Sequence, residues 1–135
     1  MPTNQSPSPA LDSRRHILVV DDDPLVTQLI VDTLTLEGYQ LDSAPNGVAA
    51  LEKIRHQRYD LILSDLNMPQ LNGVGLYLAL TQQSDRLSEK IIFITGSAGW
   101  AELHRFLKET GLPVLRKPFP VVELQQLVRQ VLESR

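Results

Sequence analysis

The chain contains no cysteine, which excludes disulfides and thiolate-bound metals. It has no basic surplus either. Thirteen Lys and Arg against sixteen Asp and Glu leave a formal charge of −3, the wrong sign for a general nucleic-acid binder. No direct contact with nucleic acid is therefore expected. The three histidines, His16, His56 and His104, show no ligand spacing, and each reads as an ordinary surface or helix-end residue. No apolar run is long enough to span a membrane. The proline-rich start, Met1 to Ala10, lacks the basic residues and apolar stretch of a signal peptide. No repeat or low-complexity segment interrupts the remaining residues. Residues 1–13 read as a disordered tail, or as linker from a longer parent, and the expected location is cytoplasmic.

What is present fits one ordinary domain over residues 14–135. Hydrophobic residues make up 42% of the 135 and charged residues 21%, values typical of a globular protein. Leu61-Ile62-Leu63-Ser64-Asp65 is a short apolar run ending in an acid, with a turn at Asn67-Met68-Pro69. Such a run reads as a buried strand. Asp65 then sits at the strand's C-terminal end, where open α/β sheets place their chemistry. Ile17 to Val20 is a second such run, suited to a fully buried parallel strand. It ends in Asp21-Asp22-Asp23-Pro24, with Asp23 placed to cap a helix and Pro24 at its first position.

That helix carries Val26, Leu29, Ile30 and Leu34 on one face and stops at Gly38. Tyr39 to Ala44 reads as a less apolar strand near an edge. Asn46-Gly47 opens a short helix spaced by Val48, Leu51 and Ile54, and Asn72-Gly73 precedes a helix with Val74, Leu76, Tyr77 and Leu80. Ser84 to Lys90 reads as a polar loop. Ile91 to Thr95 is a fourth buried strand, and Gly99 to Thr110 a helix with Trp100, Leu103, Phe106 and Leu107. Pro113 to Arg116 forms a short fifth strand. The last helix shows Leu124, Leu127, Val128 and Val131. Strands alternating with helices in this way specify a parallel sheet covered on both faces. The expected fold is a flavodoxin-like, doubly wound α/β domain with a five-stranded parallel sheet and five helices.

In that fold Asp21, Asp22, Asp65, Thr95 and Lys117 converge on one rim of the sheet. Clustered carboxylates repel and raise one another's pKa unless a cation intervenes. Oxygen ligands without His or Cys suit Mg²⁺, with Mn²⁺ as the alternative. Lys117 is a point charge for phosphoryl oxygens, and Thr95 supplies a hydroxyl. Together these describe phosphoryl transfer to a carboxylate nucleophile. Each feature has a plainer reading by itself. The three successive acids could be only a helix N-terminus, Thr95 a structural residue, and Lys117 a surface lysine. Trp100 is more readily a packed helix residue than a contact residue.

The same residues resemble the receiver domain of two-component response regulators, from His16 to about Leu132. The resemblance rests on Asp21-Asp22-Asp23-Pro24, on Asp65-Leu66-Asn67-Met68-Pro69 with Asn72-Gly73, on Thr95-Gly96, and on Lys117-Pro118-Phe119. Thirty residues separate Asp65 from Thr95, and twenty-two separate Thr95 from Lys117. The resemblance implies that Asp65 is the phosphoacceptor, taking a phosphoryl group from a phosphohistidine on a histidine kinase or histidine phosphotransfer protein. It implies metal ligation by Asp22 directly, Asp21 through water, Asp65, and the main-chain carbonyl of Asn67. Lys117 and Thr95 would contact the phosphoryl group, and the Lys117–Pro118 bond would be cis. Asn67 and Ser97 would flank the route of attacking water.

The chain departs from the receiver pattern at Val114, where a Tyr or Phe often stands. The stretch from Thr95 to Phe119 also resembles receivers fused behind hybrid histidine kinases, so a stand-alone receiver and a hybrid-kinase receiver are both expected forms. The expected output is docking on another protein or passing the phosphoryl group onward, with the outer faces of the last two helices available for dimerisation or effector binding. Two other functions compete. Asp21-x-Asp23 also fits the nucleophile motif of haloacid-dehalogenase-like phosphatases, which would make this an enzyme, although only Glu123 and Glu133 supply acids after Lys117. A pseudo-receiver that binds partners without phosphorylation is the third reading.

Overall fold

The structure is a computed structural model that describes residues 14–67, 72–83, 86–96 and 100–133, with side chains omitted at 100–103. The expected tail, Met68, Pro69, Ser97 and the side chain of Trp100 therefore lie outside the described residues. In chain order the elements are β1 (His16–Val20), α1 (Pro24–Leu36), β2 (Gln40–Ala44), α2 (Gly47–His56), β3 (Leu61–Asp65), α3 (Gly73–Gln82), β4 (Ile91–Thr95), α4 (Trp100–Thr110), β5 (Val114–Arg116) and α5 (Val121–Glu133). The strands form one sheet in the order β2-β1-β3-β4-β5, and every pair is parallel. This is the flavodoxin-like doubly wound α/β arrangement that the alternating pattern predicts.

Successive side chains on a strand point to opposite faces of the sheet, so each central strand feeds two cores. Ile17, Val19, Leu61, Leu63, Ile92 and Ile94 pack with Ile30 and Leu34 of α1 and Leu124 and Val128 of α5. Leu18, Val20, Ile62, Ile91 and Phe93 pack on the other side with Ala50, Leu76, Leu80 and Leu107. Helices α1 and α5 thus cover one face, and α2, α3 and α4 the other. Strands β3 and β4 are buried at every position, whereas β2 exposes Gln40 and Ser43. That is why the less apolar strand belongs at an edge.

Helix starts follow the cap residues. Asp23, Asn46 and Asn72 accept hydrogen bonds from the N–H groups of Leu25, Ala49 and Gly75 at 2.9, 2.8 and 3.0 Å. Each cap satisfies one donor that a helix end leaves open. Gly38 ends α1 at φ +97, where Tyr39 N–H donates back to Leu34 O at 3.2 Å. A side chain would strain that left-handed turn.

Three details differ from the expected pattern. Val48 on α2 is exposed while Ala50 is buried, because it is Ala50 that packs into the cluster on this face of the sheet. The stretch expected as a polar loop contains a 3₁₀ turn, Arg86–Glu89, which buries Leu87. His16 is not an ordinary surface histidine. Its ring lies 4.4 Å from the ring of Tyr59, and Nε2 is 2.9 Å from Asp42 Oδ2.

Candidate functional site

The chain leaves β1 for β2 at the sheet edge and then crosses back to β3 on the other side of β1. A crevice forms where the strand order reverses, beyond the C-terminal ends of the strands. Asp21 follows β1, and Asp65 closes β3. Both continue the side-chain alternation that sends Ile17, Val19, Leu61 and Leu63 to the α1–α5 face. One oxygen each from Asp21, Asp22 and Asp65 lies within 4.8 Å of the others.

The three acids are held differently. The Asp21 side chain is fully shielded from solvent, and its Oδ1 accepts the Asp23 N–H at 2.9 Å. Its Oδ2 is buried without a hydrogen-bond partner among the described residues, and Lys117 Nζ forms an ion pair with it at 3.4 Å. Asp65 Oδ1 accepts the Asn67 N–H at 3.0 Å, and Oδ2 accepts from Lys117 Nζ at 3.2 Å. Asp22 is exposed.

Thr95 closes β4 and is completely buried. Its hydroxyl donates to Gly96 O at 3.1 Å, and its carbonyl accepts the Lys117 N–H at 2.8 Å. That main-chain bond fixes Lys117 beside β4 so that its ammonium reaches both acids. The Lys117–Pro118 peptide is cis. Asn67 is exposed, with its N–H committed to Asp65. All six expected site residues therefore lie at this one end of the sheet.

Burial pushes the Asp21 carboxyl above its ordinary range, and the neighbouring Asp65 charge adds to the rise. Burial alone would lower the Lys117 pKa, but the Asp21 and Asp65 carboxylates outweigh it and hold the ammonium above its usual value. One lysine thus serves a group of three acids, one of which has a buried oxygen without a hydrogen bond among the described residues. An all-oxygen donor set with that surplus of negative charge fits a hard divalent cation.

Gly73 was legible in the sequence only as part of a turn. A Cβ at Gly73 would lie 2.7 Å from the carbonyl oxygen of Asp65 and 3.1 Å from Leu66 Cα. The N-terminus of α3 therefore rests directly on the backbone of the phosphoacceptor candidate, with Gly73 N–H donating to Leu66 O at 3.4 Å. Glycine is a poorer helix former than alanine, and it stands here at the first position of α3. Since Asn72 already supplies the cap, that mismatch was the available signal. At Val114, the missing aromatic leaves an aliphatic side chain paired with Phe93 across β4 and β5. Rings nearby come instead from α3 and α4. Tyr77, Phe93 and Phe106 form an edge-on trio with centroids 5.5 to 6.3 Å apart.

Residues 17–129 match the response regulator receiver domain. The chain belongs to that family. It is similar to the sensor protein EvgS of Escherichia coli, with 40% identity over 77 residues, covering 57% of this chain and 6% of the relative. It is also similar to the sensor histidine kinase RcsC of Salmonella typhi, with 36% identity over 110 residues, 82% of this chain and 11% of the relative. The chain thus spans a small fraction of the length of these curated relatives. Among solved structures, the chemotaxis protein CheY4 of Vibrio cholerae superposes with a TM-score of 0.77 at 30% identity, over 87% of this chain and 98% of that one.

A receiver is a signalling element of two-component systems rather than a turnover enzyme. Asp23, the second acid of the phosphatase reading, is exposed, and its Oδ1 caps α1. Among the described residues no helix is long and apolar enough to cross a membrane.

Proposed function

We propose that this receiver takes a phosphoryl group onto Asp65 from a phosphohistidine of a histidine kinase or histidine phosphotransfer protein. A carboxylate oxygen of Asp65 attacks phosphorus, the O–P bond forms as the P–N bond breaks, and the electron pair leaves with the imidazole nitrogen. Asp21, Asp22, Asp65 and the main-chain carbonyl of Asn67 are the groups that would hold Mg²⁺, or Mn²⁺ in its place. When bound, the cation offsets the negative charge shared by the acids and the phosphoryl oxygens.

The protein's own contribution is positioning. Asn67 N–H and Lys117 Nζ orient the Asp65 carboxylate, and Lys117 offers a cation to the incoming phosphoryl oxygens. The Thr95 hydroxyl, which among the described residues donates to its neighbour's carbonyl at 3.1 Å, can exchange that acceptor for a phosphoryl oxygen. Such an exchange would draw the end of β4 inward and bias a docking surface read by a downstream protein. The reading includes a cytoplasmic location and leaves the outer faces of α4 and α5 for dimerisation or effector contact.

The observation that carries this reading is the convergence of Asp21, Asp22 and Asp65 with Lys117 between two of them. Its test is intact mass after incubation with Mg²⁺ and acetyl phosphate. The wild-type protein should gain one phosphoryl group and Asp65→Asn none. Equal labelling of both proteins, or labelling of neither while Mg²⁺ is bound, would contradict it.

A further inference from the structure

The opposite end of the sheet, where the strands begin, holds a cleft of about 620 Å³. Its walls come from the entry to β1, the end of α2 and the segment before β3, the 3₁₀ turn ahead of β4, and the C-terminus of α5. The volume lies in the range of small-molecule sites. Four cations line it, Arg15, Arg58, Arg86 and Lys90, against two acids, Asp60 and Glu133. This local surplus of positive charge stands out in a chain whose formal charge is −3.

The cations divide into two pairs. Arg15 Nη1 donates to Leu132 O at 3.2 Å, and Lys90 Nζ donates to Val131 O at 3.0 Å. Both therefore bind the open carbonyls at the end of α5. Arg58 and Arg86 are exposed and make no hydrogen bond or ion pair among the described residues. Asp60 and Glu133 offset two of the four positive charges, but neither forms an ion pair with Arg58 or Arg86 among the described residues, and Asp60 Oδ2 accepts the His16 N–H at 2.8 Å. The same cleft includes Tyr59 and Leu87 as largely buried apolar surface. A guanidinium presents a planar fork matched to phosphate oxygens and is weakly hydrated, so an uncommitted pair beside apolar surface favours an oxyanion with a less polar body.

We propose that this cleft is a second ligand site, which takes a phosphate-bearing small molecule of nucleotide size through Arg58 and Arg86. It is separate from the acidic rim and does not rest on the phosphoacceptor reading. Because the ligand would touch the ends of both α2 and α5 and the turn before β4, it would stabilise the native fold by mass action.

The test is a thermal and calorimetric titration of the full chain with AMP and with inorganic pyrophosphate, in EDTA so that no divalent cation bridges ligand to the acids. Wild type and Asp65→Asn should both bind AMP with a melting temperature that climbs with concentration. Arg58→Ala and Arg86→Ala should each bind about tenfold more weakly, the value of a charge-assisted contact, with unchanged melting temperatures in the absence of ligand. Lysine at either position keeps the charge and loses the fork, and should fall between. No binding of either probe by the wild-type protein up to roughly millimolar concentration, or equal binding by the alanine variants, would overturn the proposal.

Discussion

Where β1 and β3 finish, Asp21 is buried with one carboxylate oxygen that has no hydrogen bond among the described residues; where they begin, a single oxygen of Asp42 contacts His16 Nε2 at 2.9 Å and accepts from Tyr59 Oη at 2.7 Å. Burial, and after it the Asp42 carboxylate, raises the Tyr59 pKa far above the neutral range, so the phenol remains a donor. Both aspartates are anchored in the β1–β2 ladder. Asp21 N–H bonds Ala44 O at 3.1 Å, and Asp42 pairs in register with Leu18. Their difference is in completion. The network at Asp42 finds its partners within the chain and ties the edge strand down. At the Asp21 rim, Oδ2 has the Lys117 charge at 3.4 Å but no hydrogen-bond partner among the described residues, and a buried oxygen so held costs stability until a ligand completes it.

The sharpest way to break this contrast is to remove Lys117. Lys117→Ala would leave Asp21 and Asp65 facing each other without a counter-charge. The expected loss for the metal-free protein is about 2–3 kcal/mol, below the range for a fully buried pair because the lysine is partly exposed. Urea unfolding should show it, and Mg²⁺ should recover more of the loss here than it adds to wild type. Asp42→Ala breaks the other end. It removes the short acceptor of the largely buried Tyr59 hydroxyl, leaving only Gln57 Oε1 at 3.4 Å among the described residues, and should cost about 2 kcal/mol, with no change in the response to Mg²⁺.

Gly73→Ala tests the link between α3 and Asp65. Its Cβ must push the helix off the Asp65 carbonyl, for an expected loss of about 1–2 kcal/mol. Phosphorylation from acetyl phosphate should slow as well, because the Asp65 backbone shifts with the helix.

The smallest effect sharpens the comparison rather than breaking it. A carboxyl whose folded pKa is raised favours the native state in its protonated form. Its contribution is therefore greatest below the usual value of 3.8 and is lost as pH rises through the raised value. Asp21→Asn removes that loss. The variant should melt slightly higher than wild type at neutral pH without metal, and the gain should vanish on acidification.

Much of this was visible in the residues because burial and capping leave local marks. The runs at Ile17, Leu61 and Ile91 are apolar on both faces because helices cover both faces. Asp23, Asn46 and Asn72 are caps for reasons confined to one helical turn. The convergence of Asp21, Asp65 and Lys117 followed from parallel strands alone, since every strand end points the same way. What was hidden depends on distances between elements. Val48 outranks Ala50 in hydrophobicity, yet the smaller residue is the one that faces the sheet. Leu87 sits in a polar stretch too short to show a period. The pairing of Asp42 with His16 and with Tyr59 joins residues 26 and 17 positions apart, and no pattern in any of these segments announces it.

The most direct test of the unfinished rim is the melting temperature with and without Mg²⁺, measured on wild type beside Asp21→Asn and Asp42→Ala. Ligand at roughly a hundredfold excess over its Kd adds about 2.7 kcal/mol to a native state that alone binds it. The account predicts a clear rise for wild type, a comparable rise for Asp42→Ala from its lower baseline, and little or none for Asp21→Asn. A wild-type protein indifferent to Mg²⁺, or an equal rise in all three, would contradict it.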